Sequence, residues 1–286
     1  MRSDLGRTLF RAAGTVTVAR GLQHGLRHGL ARVADEGRWR RDNYRGRAVS
    51  LAGGPAAAVA VISAVALDRR TDRRARDAAI LAGGIAAAAG LVDDMFGSPS
   101  ARGIRGHAAA ARRGEITTGA LKVAAIGAGG LLAGWRLGDG GARRRLAAGA
   151  AIAASANLVN LLDLRPGRAL KGMLIMATAS AAVRGRGRFL AVAAAACAIG
   201  SLPGDLREQT MLGDGGANCL GAVLGVSLVA GAPARRVGTI LGIFTALTIG
   251  SEAVSFSSLI EQTPVLRWLD RLGRRREIGS SKSLNA

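Results

Sequence analysis

Long apolar runs alternate with short charged segments along most of this chain. Ala48 to Leu67 contains no charged residue, and similar runs recur until Ser251. Eight charge-poor runs are more than a soluble domain of this length needs, and the runs lack the period-two alternation of barrel strands. The pattern therefore predicts an all-α fold, namely a polytopic membrane helical bundle with eight to ten transmembrane helices.

The two ends of the chain differ from this central region. Residues 1–47 are basic, and the apolar stretch from Leu9 to Val33 is interrupted by arginines and histidines. It predicts either a weak first span, which we favour slightly, or an amphipathic helix in the membrane interface. Residues 48–254 form the predicted transmembrane domain. Residues 255–286 predict a basic amphipathic cytoplasmic tail whose last residues are disordered.

The amino-acid composition limits the kinds of molecule that this chain is expected to bind. The formal net charge of +21 is spread over nearly every loop, and aromatic residues make up only 3% of the chain. Without a basic face or aromatic–basic interleaving, a nucleic-acid partner is not expected, and anionic lipid headgroups or phosphorylated substrates fit better. The two cysteines lie in apolar runs and predict core positions. His24 and His28 have the spacing of a helical metal pair, but a solvated polar face is the favoured interpretation.

Acidic side chains stand at the ends of apolar runs, where an ionised carboxylate is costly unless a cation or a reacting group compensates it. Asp93 and Asp94 end the run that begins at Ala78. A later run ends with Asn157, Asn160 and Asp163, whose spacing places them on one helix face. The glycines around Asp214, including Gly213, predict a helix start whose backbone N–H groups suit a phosphate.

Counting predicted crossings brings these groups to one side of the membrane. The second predicted crossing ends at Asp93 and Asp94, on the side where the chain started. Two crossings later the chain reaches Asp163 on that side, and two more crossings bring it to Asp214 there. Lys122, Lys171 and the Gly53–Gly54 turn fall on that side as well. The pattern therefore predicts one shared polar site. A modest excess of positive charge on the same side favours the cytoplasm.

These motifs resemble the polyprenyl-phosphate N-acetylhexosamine-1-phosphate transferases, a family that includes phospho-N-acetylmuramoyl-pentapeptide transferase and the enzymes that start teichoic acid and O-antigen synthesis. The resemblance covers roughly residues 43–254. It rests on Asp93–Asp94, on the Asn157, Asn160 and Asp163 set, on the Gly213–Asp214 motif, and more weakly on Gly53–Gly54 and Lys122.

The resemblance implies an inner-membrane enzyme that moves a phospho-sugar from a UDP-sugar to a polyprenyl phosphate and releases UMP. The implied cofactor is Mg²⁺. Catalysis would fall to Asp93, Asp94, Asp163 and Asp214, and Mg²⁺ would be held by Asp214 and Asp94. The implied substrate and phosphate ligands are Asn157, Asn160, Lys122, Lys171, Gly53, Gly54 and Gly213. We consider a homodimer as one assembly state of this chain.

Two departures from the family pattern leave a second interpretation open. Asp163 is followed by Leu-Arg-Pro-Gly, which puts Pro166 where the family has a second aspartate, and the family's histidine-rich loop is replaced by residues 255–264. The chain is therefore either an active transferase or a catalytically silent relative that binds lipid phosphate or a cell-envelope partner. A transporter is disfavoured because the acidic groups gather at one face.

Overall fold

The computed structural model describes residues 2–30, 36–97, 110, 112–182 and 185–275. Helices form 78% of the chain, which confirms the helical class. A short helix precedes a hairpin of β1 (Arg40–Asp42) and β2 (Ala48–Ser50), which pair antiparallel. The helices are α1 (Arg2–Leu30), α2 (Gly53–Leu67), α3 (Arg73–Phe96), α4 (Thr118–Leu137), α5 (Ala142–Leu162), α6 (Arg168–Ala182), α7 (Arg188–Leu206), α8 (Gly213–Val229), α9 (Ala234–Ala253), α10 (Phe256–Gln262) and α11 (Pro264–Arg271).

Four of the described helices, α3, α4, α5 and α7, are long and apolar enough to cross a membrane. A fifth crossing is counted if α9 and α10, which meet at an angle of 95°, form one span. The predicted number of eight to ten is not reached by this criterion, because α2 and α6 have 15 residues each and α8 has 17. At about 1.5 Å per residue, such helices are shorter than a hydrocarbon core of about 30 Å.

Helix α8 forms the centre of the bundle and is buried along nearly its whole length. It packs against α2, α3, α5 and α7. Its first turns read Gly-Asp-Gly-Gly-Ala, and small residues let neighbouring helices approach closely. Ser155 of α5 strengthens this packing by donating a hydrogen bond of 2.7 Å to the carbonyl of Gly221. The carboxylate-bearing start of α8 is therefore held by several helices at once.

Two predicted boundaries need correction. The uncharged run from Ala48 is not helical at its start, because Ala48–Ser50 is a strand and the helix begins only at Gly53. Gly53 and Gly54 thus begin α2 and do not interrupt it, and Pro55 lies in the first turn, where its missing N–H costs no helical hydrogen bond. The N-terminal segment forms a 29-residue helix against α2 and α7, but it is not among the helices apolar enough to span a membrane.

Residues 98–109 and 111, in the polar segment between α3 and α4, lie outside the described residues, as do residues 276–286 of the segment from Arg274 to Ala286 that the sequence predicts to be disordered. Arg274 itself is placed and forms hydrogen bonds with Pro166 and Asp270, which corrects the predicted start of that segment. The other loops gather at two ends of the bundle. At the end opposite the carboxylates, Asp139 accepts hydrogen bonds from Arg144, Arg186 and the backbone nitrogen of Gly231. This network joins three interhelical loops, so the basic loops there are in part structural.

Candidate functional site

Asp93, Asp94, Lys122, Asp163 and Asp214 meet at one end of the bundle, as the crossing count predicts. They come from four elements: the end of α3, the start of α4, the end of α5 and the start of α8. Direct hydrogen bonds connect Asp93, Asp94, Lys122 and Asp214. Asp163 is within electrostatic reach of Asp94 and Asp214.

Lys122 is the cation at the centre of this site. Its Nζ lies 2.6 Å from Asp93 Oδ2 and 2.5 Å from Asp214 Oδ2, so that one ammonium group bridges α3 and α8. The side chains of Lys122 and Asp93 are 15% and 14% exposed. In such partly buried surroundings the lysine offsets the repulsion between the two carboxylates.

Asp94 serves as a cap for α8. Its Oδ1 accepts a hydrogen bond from the backbone N–H of Asp214 and its Oδ2 one from Gly215, both at 3.0 Å. A carboxylate at a helix N-terminus is stabilised by these N–H groups and by the helix dipole. Gly213 has a φ of 59°, and a Cβ there would lie 2.8 Å from Asp94 Oδ2. Glycine is therefore required to let the carboxylate approach.

This cap corrects two predictions. The N–H groups of Asp214 and Gly215 were expected to face a phosphate, but Asp94 occupies them, which also makes Asp94 a poor choice of metal ligand. Gly53 and Gly54 pack directly against the Met211–Leu212 backbone that leads into α8, and a Cβ on Gly54 would lie 3.1 Å from the nitrogen of Gly216. These two glycines allow close backbone packing and do not form an open phosphate cradle.

Asp163 is the second unusual carboxylate. It follows the last residue of α5, and its Oδ2 is buried without a hydrogen-bond partner in the described part of the chain. Burial raises the pKa of Asp163 well above its usual value, and the charges of Asp205, Asp214 and Asp94 raise it further. An orphaned buried oxygen beside other acids indicates a place for a proton or a cation.

Asn157 and Lys171 bind partners outside this cluster. Asn157, which is half-buried, donates a hydrogen bond of 3.3 Å to Thr248 of α9, a helix–helix contact that by itself can explain an asparagine there. Asn160 is half-buried on the same helix. Lys171 Nζ donates to the carbonyl oxygens of Leu269, Asp270 and Leu272, so it caps the C-terminal helix and is not placed as a phosphate ligand.

Sequence reasoning missed three residues beside the cluster. Thr118 donates a hydrogen bond of 2.6 Å to Asp93 Oδ1. Arg41 of β1 donates to the backbone carbonyl of Asp94. Asp205, 5% exposed at the end of α7, accepts a hydrogen bond from the N–H of Gly167 and lies near Asp163. An acid at the end of an apolar run was a detectable signal for Asp205. No local pattern predicts the contacts of Thr118 and Arg41.

Mg²⁺ is the cofactor that the family resemblance implies for these carboxylates. Among the described residues, no group of three acidic, histidine or cysteine side chains is arranged to hold a metal ion. The donor chemistry nevertheless suits Mg²⁺, which prefers oxygen ligands. Asp93 and Asp214 already share a cation in Lys122, and Asp163 has an unsatisfied oxygen. As placed, these carboxylates do not form a metal site among the described residues, and Mg²⁺ stays a prediction from the resemblance.

Compared with known proteins, the chain matches no protein-family model and no curated protein.

The C-terminal helices are fixed beside the site by a buried ion pair. Arg168, 5% exposed, donates from Nε to Asp270 Oδ1 at 2.8 Å, and Arg274 binds the same carboxylate at 2.5 Å. Burial by itself raises the pKa of Asp270, but the hydrogen bond and charge of Arg168 outweigh it, so the pKa lies below its usual value. The carboxylate is thus stabilised in its ionised form when the tail is docked.

This shift predicts an acid-sensitive contribution to stability. Because the folded pKa is depressed, the contribution is complete above the unfolded pKa of about 3.9 and disappears as the pH falls through the folded value. We expect Asp270→Asn to lose about 1–3 kcal/mol of unfolding free energy at pH 7 and to show a weaker pH dependence than the wild type below pH 4. Thermal unfolding in detergent across this range measures both effects.

The matched control is Glu261→Gln, which removes an exposed carboxylate paired with Arg165 at 3.4 Å. Exposed pairs contribute at most about 1 kcal/mol, so this variant is expected to follow the wild-type curve closely. Equal pH dependence in wild type and Asp270→Asn would show that the Arg168–Asp270 pair does not hold the tail.

Proposed function

We propose that this chain is a membrane phosphotransferase that moves a sugar 1-phosphate, such as N-acetylhexosamine 1-phosphate, from a UDP-sugar to a polyprenyl phosphate. The observation that carries the proposal is the contact of Asp93 and Asp214 with Lys122 at one end of an apolar bundle, with Asp163 within electrostatic reach of Asp214. Alternation of helix direction brings these acids to one end, and Lys122 gives two of them a common partner there. Acidic groups with a lysine are the side chains that hold metal-bound and free phosphates.

The reaction matches what these side chains supply. A phosphate oxygen of the polyprenyl phosphate attacks the sugar-linked phosphorus of the donor, the bond from that phosphorus to the UMP oxygen breaks, and a polyprenyl diphospho-sugar and UMP leave. Bound Mg²⁺ would supply neutralisation of the charge that spreads over the phosphoryl oxygens. Lys122 adds a fixed positive charge, and Thr118 and Lys122 hold Asp93 in a single orientation by hydrogen bonds to its two oxygens.

The membrane position is part of this proposal. Helices α2 to α9 would cross or enter the bilayer alternately, giving eight passes, with the short helices spanning where the bilayer thins around them. The carboxylate end would face the cytoplasm of the inner membrane, where UDP-sugars are present, in keeping with the modest excess of positive charge at that end. The exposed face of α10 and α11 combines Leu259, Leu266 and Trp268 with Arg267 and Arg271, which suits an anionic membrane surface.

The test is release of UMP by purified protein in detergent or nanodiscs. The reaction contains polyprenyl phosphate, Mg²⁺ and a panel of UDP-sugars, and reactions without the lipid acceptor serve as controls. The proposal expects acceptor-dependent release with at least one donor and loss of release in EDTA. Absence of release across the whole panel, from protein that is folded by its thermal transition, would contradict it.

One contact favours a second candidate function, namely a catalytically silent protein that binds lipid phosphate. Arg274 Nε donates a hydrogen bond of 2.9 Å to the carbonyl of Pro166, so the C-terminal segment contacts the turn where the family has its second aspartate. This candidate expects binding of polyprenyl phosphate without turnover. It also expects the combined Asp93→Asn, Asp94→Asn, Asp214→Asn variant to complement a deletion strain, and failure of that variant would speak against it.

A further inference from the structure

A second polar cavity lies outside the carboxylate cluster. It has a volume of about 310 Å³ and lies between α1 and the segment that joins α7 to α8. Arg20, His24, Arg207, Gln209 and Thr210 line it. None of these side chains belongs to the carboxylate cluster, so the cavity has a chemistry of its own.

The acidic side chain that lies between two of these lining residues is turned away from the cavity. Glu208, between Arg207 and Gln209, has a φ of 57°, a strained value for a residue with a side chain. Its carboxylate is buried and binds Arg45 Nη1 at 2.9 Å and Asn43 Nδ2 at 2.8 Å. Among the described residues, the cavity lining contains two arginines and a histidine and no carboxylate.

Thr210 contributes an unsatisfied hydroxyl. The residue is 4% exposed, and its Oγ1 has no hydrogen-bond partner among the described residues. A buried hydroxyl without a partner costs about 1–3 kcal/mol in mutational studies, and native structures retain one where an unobserved group completes it. Thr210 also lines the cavity, and its hydroxyl finds no partner among the described residues.

The wall that carries Arg20 is held in place by close packing. A Cβ on Gly200 of α7 would lie 2.7 Å from the Cβ of Ala19, so glycine lets α1 press against α7. Ala19 itself is fully buried. Arg20 directly follows Ala19 and His24 lies one turn later on the same helix, and both line the cavity together with Arg207. The ring of His24 also contacts that of His28, with centroids 4.3 Å apart.

We propose that this cavity is a phosphate-binding site, with Arg20 and Arg207 binding the charge and the Thr210 hydroxyl donating a hydrogen bond to an oxygen. The two guanidinium groups and the histidine favour an anion, and planar guanidinium groups match phosphate geometry. The phosphate belongs either to a soluble phosphate compound or to a lipid headgroup. The site does not depend on the transferase proposal, since it shares no residue with the carboxylate cluster.

Two arms of one binding experiment distinguish these sources. In the first, thermal unfolding in detergent is followed against inorganic phosphate, with chloride at matched ionic strength as reference. In the second, unfolding is compared in nanodiscs of phosphatidylcholine with and without phosphatidic acid. Saturable stabilisation in the first arm supports soluble phosphate, and stabilisation only in the second supports a lipid headgroup. Absence of stabilisation in both arms overturns the proposal.

The variants assign the effect to the cavity. Each charge-assisted contact is expected to be worth about tenfold in affinity, so Arg20→Ala with Arg207→Ala should weaken binding about a hundredfold. Arg143→Ala is the control, because Arg143 is an exposed arginine at the start of α5, at the opposite end of the bundle. Equal weakening by Arg143→Ala, or unchanged binding in the double variant, overturns the proposal.

Thr210→Val separates a ligand role from a packing role. Valine keeps the shape but removes the orphaned hydroxyl, so without phosphate the variant should be at least as stable as the wild type. With phosphate, it should gain less stabilisation than the wild type. A variant that responds to phosphate like the wild type shows that the hydroxyl does not face a bound anion and overturns the assignment of Thr210.

Discussion

Asp214→Asn is expected to lower the rate of UMP release by about a thousandfold while leaving the fold intact. The substitution removes one negative charge from the pair that Lys122 holds. Loss of a single preorganised electrostatic group at a reacting centre typically costs about 10²–10³ in rate. The effect should fall on turnover, measured as UMP release at saturating donor and acceptor.

The geometry makes this variant a clean probe. The cap on α8 uses the backbone N–H of Asp214 and not its side chain, and Asn218 binds its backbone carbonyl at 2.8 Å. Both contacts survive in asparagine. Asp77→Asn is the matched control, since it breaks an ion pair with Arg136 and Asp77 is near the start of α3, at the opposite end of the bundle. Wild-type turnover in Asp214→Asn would remove Asp214 from the reaction.

Gly90→Ala should be the most destabilising conservative substitution in α3. A Cβ at Gly90 would lie 2.6 Å from the backbone nitrogen of Gly215 and would also meet the carbonyl of Asp214. Backbone cannot yield as a side-chain tip can, so α3 and α8 must separate, at a cost of about 3 kcal/mol. The same separation would stretch the Asp94 cap, so activity should fall together with stability.

Gly84→Ala on the same helix provides the control. No atom lies within 4 Å of a Cβ built there. Alanine in an unobstructed helical position is favoured over glycine by about 0.5–1 kcal/mol, so this variant should be as stable as the wild type or slightly more stable. Thermal unfolding in one detergent compares the pair. Similar midpoints for both variants would show that α3 and α8 are not in close contact at Gly90.

Much of the candidate site follows from local sequence. Asp93 and Asp94 end an apolar helix, Asp163 ends another, and Asp214 begins a third, and alternation of direction then brings them to one end. The same reasoning located Lys122 there. The same reasoning was wrong about Gly53–Gly54, which the sequence predicts as a turn but which pack closely against the backbone that leads into α8. It was also wrong about Lys171, whose carbonyl partners are nearly 100 residues away along the chain.

The sequence alone determined the helical class, the apolar character of the long helices and the end of the bundle that carries the acids. These properties depend on periodicity and on the cost of burying charge, both of which are local. Only the tertiary structure decided that Asp94 caps α8, that Lys122 bridges Asp93 and Asp214, and that Asp205 lies near Asp163. Those contacts are set by how closely small residues let helices approach, a distance that depends on both partners and is written in neither segment by itself.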